Sequence, residues 1–231
     1  MKNKFKGIIL YKKIIKDNDI YIKILASNDQ IITGIVYGGN SSKKKLIYQN
    51  GFFIDFIVRR KNENFPLTIN AEISKPFLSN MINDKYKLNA LLSILSLIKL
   101  SITEGQHIKG FYDGVENLLL KIIFQNHWII FYCEWLFYLL QLIGYQIDYR
   151  KNADKNFFDL INQNFIYESN ENSITFPHEL FFDKQKINQK NIHSIFYLFE
   201  SVFTKNHLDN MNYKMPINFL NFKKIILKQL K

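Results

Sequence analysis

Cysteine occurs once in the 231 residues, at Cys133. A single thiol excludes an intrachain disulfide and a four-cysteine zinc site, and it points to a reducing, cytosolic compartment. Three arginines stand against 28 lysines, and four alanines against 26 asparagines, a Lys/Asn/Ile-rich profile of the kind that AT-rich coding produces. No signal segment is read at the N-terminus, because the apolar patch after Gly7 runs directly into Lys12 and Lys13. The candidate for a membrane span, residues 128–145, contains Glu134 and Gln141 and is at the short end of the required length, so it reads as a buried helix.

Familiar catalytic spacings are missing as well. The histidines, at 107, 127, 178, 193 and 207, form no HxxxH or HExxH pair. His127 and Glu134 can share a helix face, but two ligands do not make a metal site. No serine lies in a GxSxG context, and Cys133, central in an apolar helix, reads as a small core residue rather than a nucleophile. The GxxxxGK[ST] phosphate loop is absent, which argues against nucleotide hydrolysis.

What is present is apolar material and positive charge. Hydrophobic residues make up 47% and charged residues 22%, enough for a core and too apolar for a disordered chain. The length allows two modest domains or one larger one. The net charge is +11, which fits an anionic partner such as nucleic acid, although coding bias supplies part of the lysine. Its distribution is more informative: residues 1–80 carry 14 basic and 6 acidic side chains, whereas residues 81–231 carry 17 and 14.

That basic third has the period of strands. Residues 5–15, 20–26 and 31–37 are rich in Ile and Tyr, with a polar hairpin turn at 27–30, and two further strands are expected over 52–60 and 67–73. Short links leave no room for crossover helices, so an antiparallel sheet is expected, curled into a five-stranded barrel. Pro76 marks the switch to helical period. Leu88, Leu91, Leu92, Leu95, Ile98 and Ile102 follow one face, and further helices are expected over 110–124, 127–143, 191–203 and 216–230. Residues 151–190, dense in Asn, Asp, Gln and Lys with short aromatic islands, are expected to form loops and turns. The fold class is α+β multidomain: a barrel over 1–77 and an all-helical domain over 78–231.

The candidate site lies in the barrel. Gly38-Gly39-Asn40-Ser41-Ser42 precedes Lys43, Lys44 and Lys45, which offers flexible backbone N–H groups beside three ammonium groups for phosphodiester oxygens; a solvated charged loop is the other reading. Lys12, Lys13 and Lys16 end the first strand, and Arg59, Arg60 and Lys61 end the fourth. If the barrel closes, these patches can join into one groove, with Tyr11, Tyr37 or Tyr48 available to stack bases.

Three motifs in order carry a family resemblance: Gly7-Ile8-Ile9-Leu10; Gly34-Ile35-Val36-Tyr37-Gly38-Gly39 before the basic loop; and the helix end Leu139-Leu140-Gln141-Leu142-Ile143-Gly144-Tyr145-Gln146-Ile147-Asp148. Together with Met215-Pro216 and the closing helix, the chain resembles the bacterial recombination mediators of the RecO family. The resemblance implies an N-terminal OB barrel and a helical domain, without cofactor or catalysis. It further implies binding to single- and double-stranded DNA, strand annealing, and action with RecR to load RecA onto DNA covered by single-strand-binding protein in a cytoplasmic, nucleoid-associated setting without a membrane.

Family members also recognise the acidic, phenylalanine-ended tail of the single-strand-binding protein, for which Lys121 beside the aromatic third helix is the candidate here. Many members hold a four-cysteine zinc site in the helical domain. This chain does not, and its 151–190 segment is expected to be held by packing alone. A protein-interaction module that does not bind DNA, its lysines reflecting genome composition, is the alternative, and a hydrolase with an unrecognised carboxylate pair is a second.

Overall fold

The structure, a computed structural model, describes residues 4–183 and 187–230. Strands β1 (Lys4–Lys16), β2 (Asp19–Ala26), β3 (Ile31–Val36), β4 (Phe53–Arg59) and β5 (Thr68–Lys75) close into a barrel in the order β1-β2-β3-β5-β4. The alternation read in the sequence sets its inside. Ile20, Ile22, Ile24 and Ala26 of β2 point inward with Ile9, Val36, Ile54, Phe56 and Ile69, while Tyr21 and Lys23 point out.

The barrel is not purely antiparallel, contrary to expectation. Ile35 of β3 lies beside Thr68 of β5 in a parallel pairing, and the other neighbours are antiparallel. An odd number of strands cannot alternate direction all the way round a closed ring, so closure with five forces one parallel pair. That junction is tight: a Cβ on Gly34 would lie 2.6 Å from the Leu67 carbonyl oxygen and 2.8 Å from the Ile69 side chain.

The chain divides into two compact units, residues 1–119 and 120–231. The barrel strands end at Lys75, and the first unit continues beyond residue 77. Helix α1 (Lys85–Ser101), N-capped by the Asp84 carboxylate, packs on β1, and Leu91 lies so near Gly51 that a Cβ there would be 2.7 Å away. The hairpin turn at 27–30 has a second function. Asp29 accepts hydrogen bonds from the N–H groups of Gly110 (2.7 Å) and Tyr112 (2.9 Å), satisfying free donors at the start of α2 (Phe111–Phe124).

In the second unit, α3 (Trp128–Leu142) is buried along most of its length, as an all-round apolar helix must be. Among the described residues no helix is long and apolar enough to cross a membrane. Cys133 is fully buried, and burial raises its thiol pKa, which suits a core residue. Tyr132 packs edge-on against Phe222 of α6 (Ile217–Gln229), with centroids 4.6 Å apart, and at a tilt against Phe196 of α5 (Gln189–Phe203) at 6.0 Å.

Residues 151–190 are more ordered than expected. Strands β6 (Phe157–Asp159), β7 (Asn164–Ile166) and β8 (Ser173–Thr175) form a sheet in the order β7-β6-β8, followed by α4 (His178–Phe182); residues 184–186 lie outside the described residues. Three-residue strands are too short to show a period, so only their aromatic islands were visible. Packing alone does not hold this sheet either. The buried Asp159 carboxylate accepts from the N–H groups of Ile161 (2.8 Å) and Asn162 (2.9 Å) and from the side-chain amides of Asn162 (3.1 Å) and Asn170 (2.8 Å). Those donors, led by the Asn162 N–H, hold its pKa down at about 2.

Candidate nucleic-acid interface

Strand register brings together residues far apart in sequence. Lys13 is opposite Tyr21, Tyr21 opposite Ile35, Ile35 beside Thr68, and Thr68 opposite Arg59. Residues directly opposite share a face of the sheet. Tyr21, Ile35 and Thr68 alternate with buried Ile20, Ile22, Val36 and Ile69, and Lys13 and Arg59 share their register, so Lys13-Tyr21-Ile35-Thr68-Arg59 forms one row on the outside of the barrel. At about 4.8 Å per strand the row spans no more than about 20 Å. Lys13 and Arg59 are both exposed at its ends.

The hairpin tip and the long connection after β3 also meet. The Asp19 carboxylate accepts from the Gly38 N–H at 2.7 Å, and the Asn18 carbonyl from the Asn40 N–H at 2.7 Å. Lys16, opposite Asp19 at the tip, therefore lies on the hairpin that anchors the 38–45 turn. Lys44 Nζ donates to the Tyr37 carbonyl at 3.3 Å. Lys43, Lys44 and Lys45 are exposed, and Tyr37 is 54% exposed.

Three sequence readings need correction. The backbone of the 38–45 turn is not a free cradle: the N–H groups of Gly38, Gly39, Asn40, Ser41, Lys44 and Lys45 all bond within the protein. Phosphate contact here falls to the ammonium groups. Lys12 does not share a patch with Lys13, since neighbours on a strand face opposite ways. Lys12 pairs with inward Ile22, is half-buried, and donates to Gln49 Oε1 at 2.9 Å; burial lowers its pKa. Tyr48 is 2% exposed, with its hydroxyl accepting from the Ala71 N–H, and so cannot stack a base. Tyr11 is half-buried, with Lys99 Nζ 3.6 Å from its ring centroid.

Arg59, Arg60 and Lys61 are exposed and lead into the connection 60–67, which rejoins the row where the Leu67 carbonyl accepts from the Ile35 N–H at 2.8 Å. Lys121, in the last turn of α2, is exposed and holds its Nζ 4.6 Å from the centroid of Phe131 on α3. Among the described residues no group of three or more His, Cys, Asp or Glu could hold a metal ion.

Two cations on the outer face escaped the sequence reading. Lys23 is opposite Tyr11 and Thr33, and its Nζ lies 3.5 Å from the Lys99 carbonyl. Burial and the Lys99 charge lower its pKa, while Glu104, which accepts from the Thr33 hydroxyl at 2.6 Å, raises it. The outward phase of Lys23 was readable from the alternation in β2. Nothing in the sequence signals that Lys99, on a helix beyond the barrel, returns to the same face.

A closed barrel ordered 1-2-3-5-4, with cations and tyrosines on the outside of β1 and β2, defines a protein of the OB-barrel class. DNA repair protein RecO of Rickettsia canadensis is 30% identical over 179 residues, covering 75% of this chain and 70% of that protein. The protein of the same name from Rickettsia bellii is 29% identical over 150 residues (65% and 61%), and that of Rickettsia akari 30% identical over 151 residues (65% and 63%). No family model matches the chain. The chain belongs to the RecO family of DNA repair proteins.

Proposed function

We propose that this protein is a non-catalytic mediator of DNA repair and homologous recombination. It binds single- and double-stranded DNA along the outer row of the barrel, anneals complementary strands, and acts with RecR to load RecA onto DNA coated by single-strand-binding protein. The observation that carries the reading is the register row joining Lys13 to Arg59, flanked by the Lys43, Lys44 and Lys45 turn. A track of this kind exchanges ammonium and guanidinium groups for the counterions of a polyanion. It reads no sequence, because phosphate contacts carry no base information. Annealing follows from the same charge: two strands held on a cationic surface repel each other less, and no acid or base is needed.

In this reading residues 1–77 form the nucleic-acid-binding domain, and the residues beyond 77 meet protein partners. Lys121 over Phe131 supports a contact for the acidic, phenylalanine-ended tail of single-strand-binding protein, since an ammonium group beside an aromatic surface suits a carboxylate next to a phenyl ring. The decisive experiment is annealing of complementary oligonucleotides already coated by the cognate single-strand-binding protein. Acceleration by this protein is expected, and its loss at high salt. The competing reading, a protein-interaction module whose lysines reflect coding bias, predicts no salt-sensitive change in the anisotropy of a labelled oligonucleotide at micromolar protein.

A further inference from the structure

Phe65 lies outside every residue assigned so far, yet its setting is specific. It is 47% exposed on the connection between β4 and β5. Singly exposed apolar side chains are ordinary, so exposure alone carries nothing. Three further observations set Phe65 apart. Arg60 and Lys61 precede it on the same connection, after Arg59 at the end of β4, all exposed, and Lys61 Nζ lies 5.4 Å from the ring centroid.

The second observation is that the ring is presented from an ordered turn. The Asn62 side-chain oxygen accepts from the Asn64 N–H at 3.1 Å, the Asn62 carbonyl accepts from the Phe65 N–H at 3.2 Å, and Pro66 restricts Phe65 to extended backbone. The entropy of ordering a platform is therefore largely met before any ligand binds. The third is position. Phe65 is three residues before Thr68, and Tyr37 is two residues after Ile35, on strands that run parallel with Thr68 beside Ile35. The Cα atoms of the two residues are therefore no more than about 22 Å apart, at about 3.4 Å per residue on either side of a strand spacing of about 4.8 Å. Each has a lysine close by: Lys61 at the Phe65 ring, Lys44 at the Tyr37 carbonyl.

We infer that Phe65 is a base-stacking platform for single-stranded nucleic acid and that, with Tyr37, it marks the two ends of a short base track across the β3–β5 junction. A flat apolar ring beside an ammonium group matches a nucleotide, which presents a π-face and a phosphate a few ångströms apart. The inference rests on the reading that the barrel row carries a single strand, and it adds which residues receive bases.

Oligo(dT) and an abasic oligonucleotide of equal length, titrated against the parent chain, Phe65→Ala, Phe65→Trp and the Lys43, Lys44, Lys45→Ala triple variant, test it. Phe65→Ala is expected to weaken oligo(dT) binding by about 5- to 150-fold, the range that loss of one stacked base produces. The abasic strand should be unaffected, and Phe65→Trp should restore oligo(dT) affinity. If Phe65→Ala binds oligo(dT) like the parent while the lysine variant does not, the platform is overturned and the phosphate track stands. If the parent chain binds neither oligonucleotide, both are overturned. Equal weakening toward the abasic strand would assign Phe65 to loop structure and also refute the platform.

Discussion

The hydroxyl of Tyr48 accepts the backbone N–H of Ala71 at 3.1 Å, completing the bonding of β5 at a level where β3 has already ended. A side chain from the 37–52 connection thus takes the place of a strand, and the lysine turn on that connection is tied to the barrel core through the same residue. Replacing Tyr48 by Phe keeps the ring and leaves the Ala71 donor without its partner. The expected cost is about 1–3 kcal/mol, read as a lower urea midpoint at unchanged slope. An unchanged midpoint would show that the bond contributes nothing.

The same residue gives the barrel an alkaline limit. Burial raises the Tyr48 pKa, opposed by the Ala71 hydrogen bond, and Tyr112 is raised by burial and by Glu116, Asp113 and Asp55. A raised phenol pKa stabilises the folded state fully below the unfolded value of about 10 and loses that contribution as pH rises through the folded value. Urea midpoints should therefore fall above about pH 10, and the fall should be smaller in Tyr48→Phe. Equal alkaline slopes in the two chains would count against the assignment.

In the second unit the sign is opposite. The Asp159 pKa is lowered to about 2, first by the Asn162 N–H and then by the Asn170 amide. Its contribution is present above the unfolded carboxylate value of about 3.9 and disappears as pH falls through the folded one. Asp159→Asn should weaken the β6–β8 sheet at neutral pH and remove much of its acid dependence, followed by near-ultraviolet circular dichroism of the surrounding aromatic residues. An acid transition identical to that of the parent would exclude Asp159 as its source.

Steric demand separates two glycines of the same motif. A Cβ on Gly34 meets Leu67 and Ile69 below 3 Å, whereas one on Gly38 meets nothing within 4 Å and is opposed only by its φ of +66°. Gly34→Ala should cost about 1–3 kcal/mol through overpacking at the β3–β5 junction, and Gly38→Ala about 1 kcal/mol through backbone strain alone. Thermal unfolding of the two variants should show the larger loss for Gly34→Ala, and the reverse order would remove the tight-junction account.

On the DNA-binding reading, the exposed lysines 43–45 contribute charge and no packing. Changing all three to Ala should leave the urea midpoint in place and weaken oligonucleotide binding. It should flatten the salt slope for a single strand by about 2, at about 0.7 for each phosphate that is no longer neutralised. An unaltered slope would remove the turn from the interface.

The five barrel strands and the long helices were legible because each repeats its period several times: Ile20, Ile22 and Ile24 mark one face of β2 unambiguously, and Leu91, Leu95 and Ile98 mark one face of α1. The sheet β6–β8 was not legible, since three residues give no period and its organising group, Asp159, looks like any loop aspartate until Asn162 and Asn170 are seen around it. Within the candidate site, the clustering of cations before residue 80 was visible in the sequence. Their facing was less so: Lys12 and Lys13 read as one patch although the strand turns them apart, and Tyr48 read as a surface aromatic although it is core.

Composition and periodicity determined by themselves that this chain has a basic strand-rich part, a helical part, and no disulfide or cysteine-rich metal site, because each follows from residue types and local spacing. Tertiary structure alone decided which cations share a surface. Closing five strands forces one parallel junction, and that junction sets Thr68 beside Ile35, completing the register that carries Arg59 round to Lys13 from 46 positions away in the chain. No local pattern encodes that neighbourhood, since it depends on strand register and ring closure rather than on any segment's own preference.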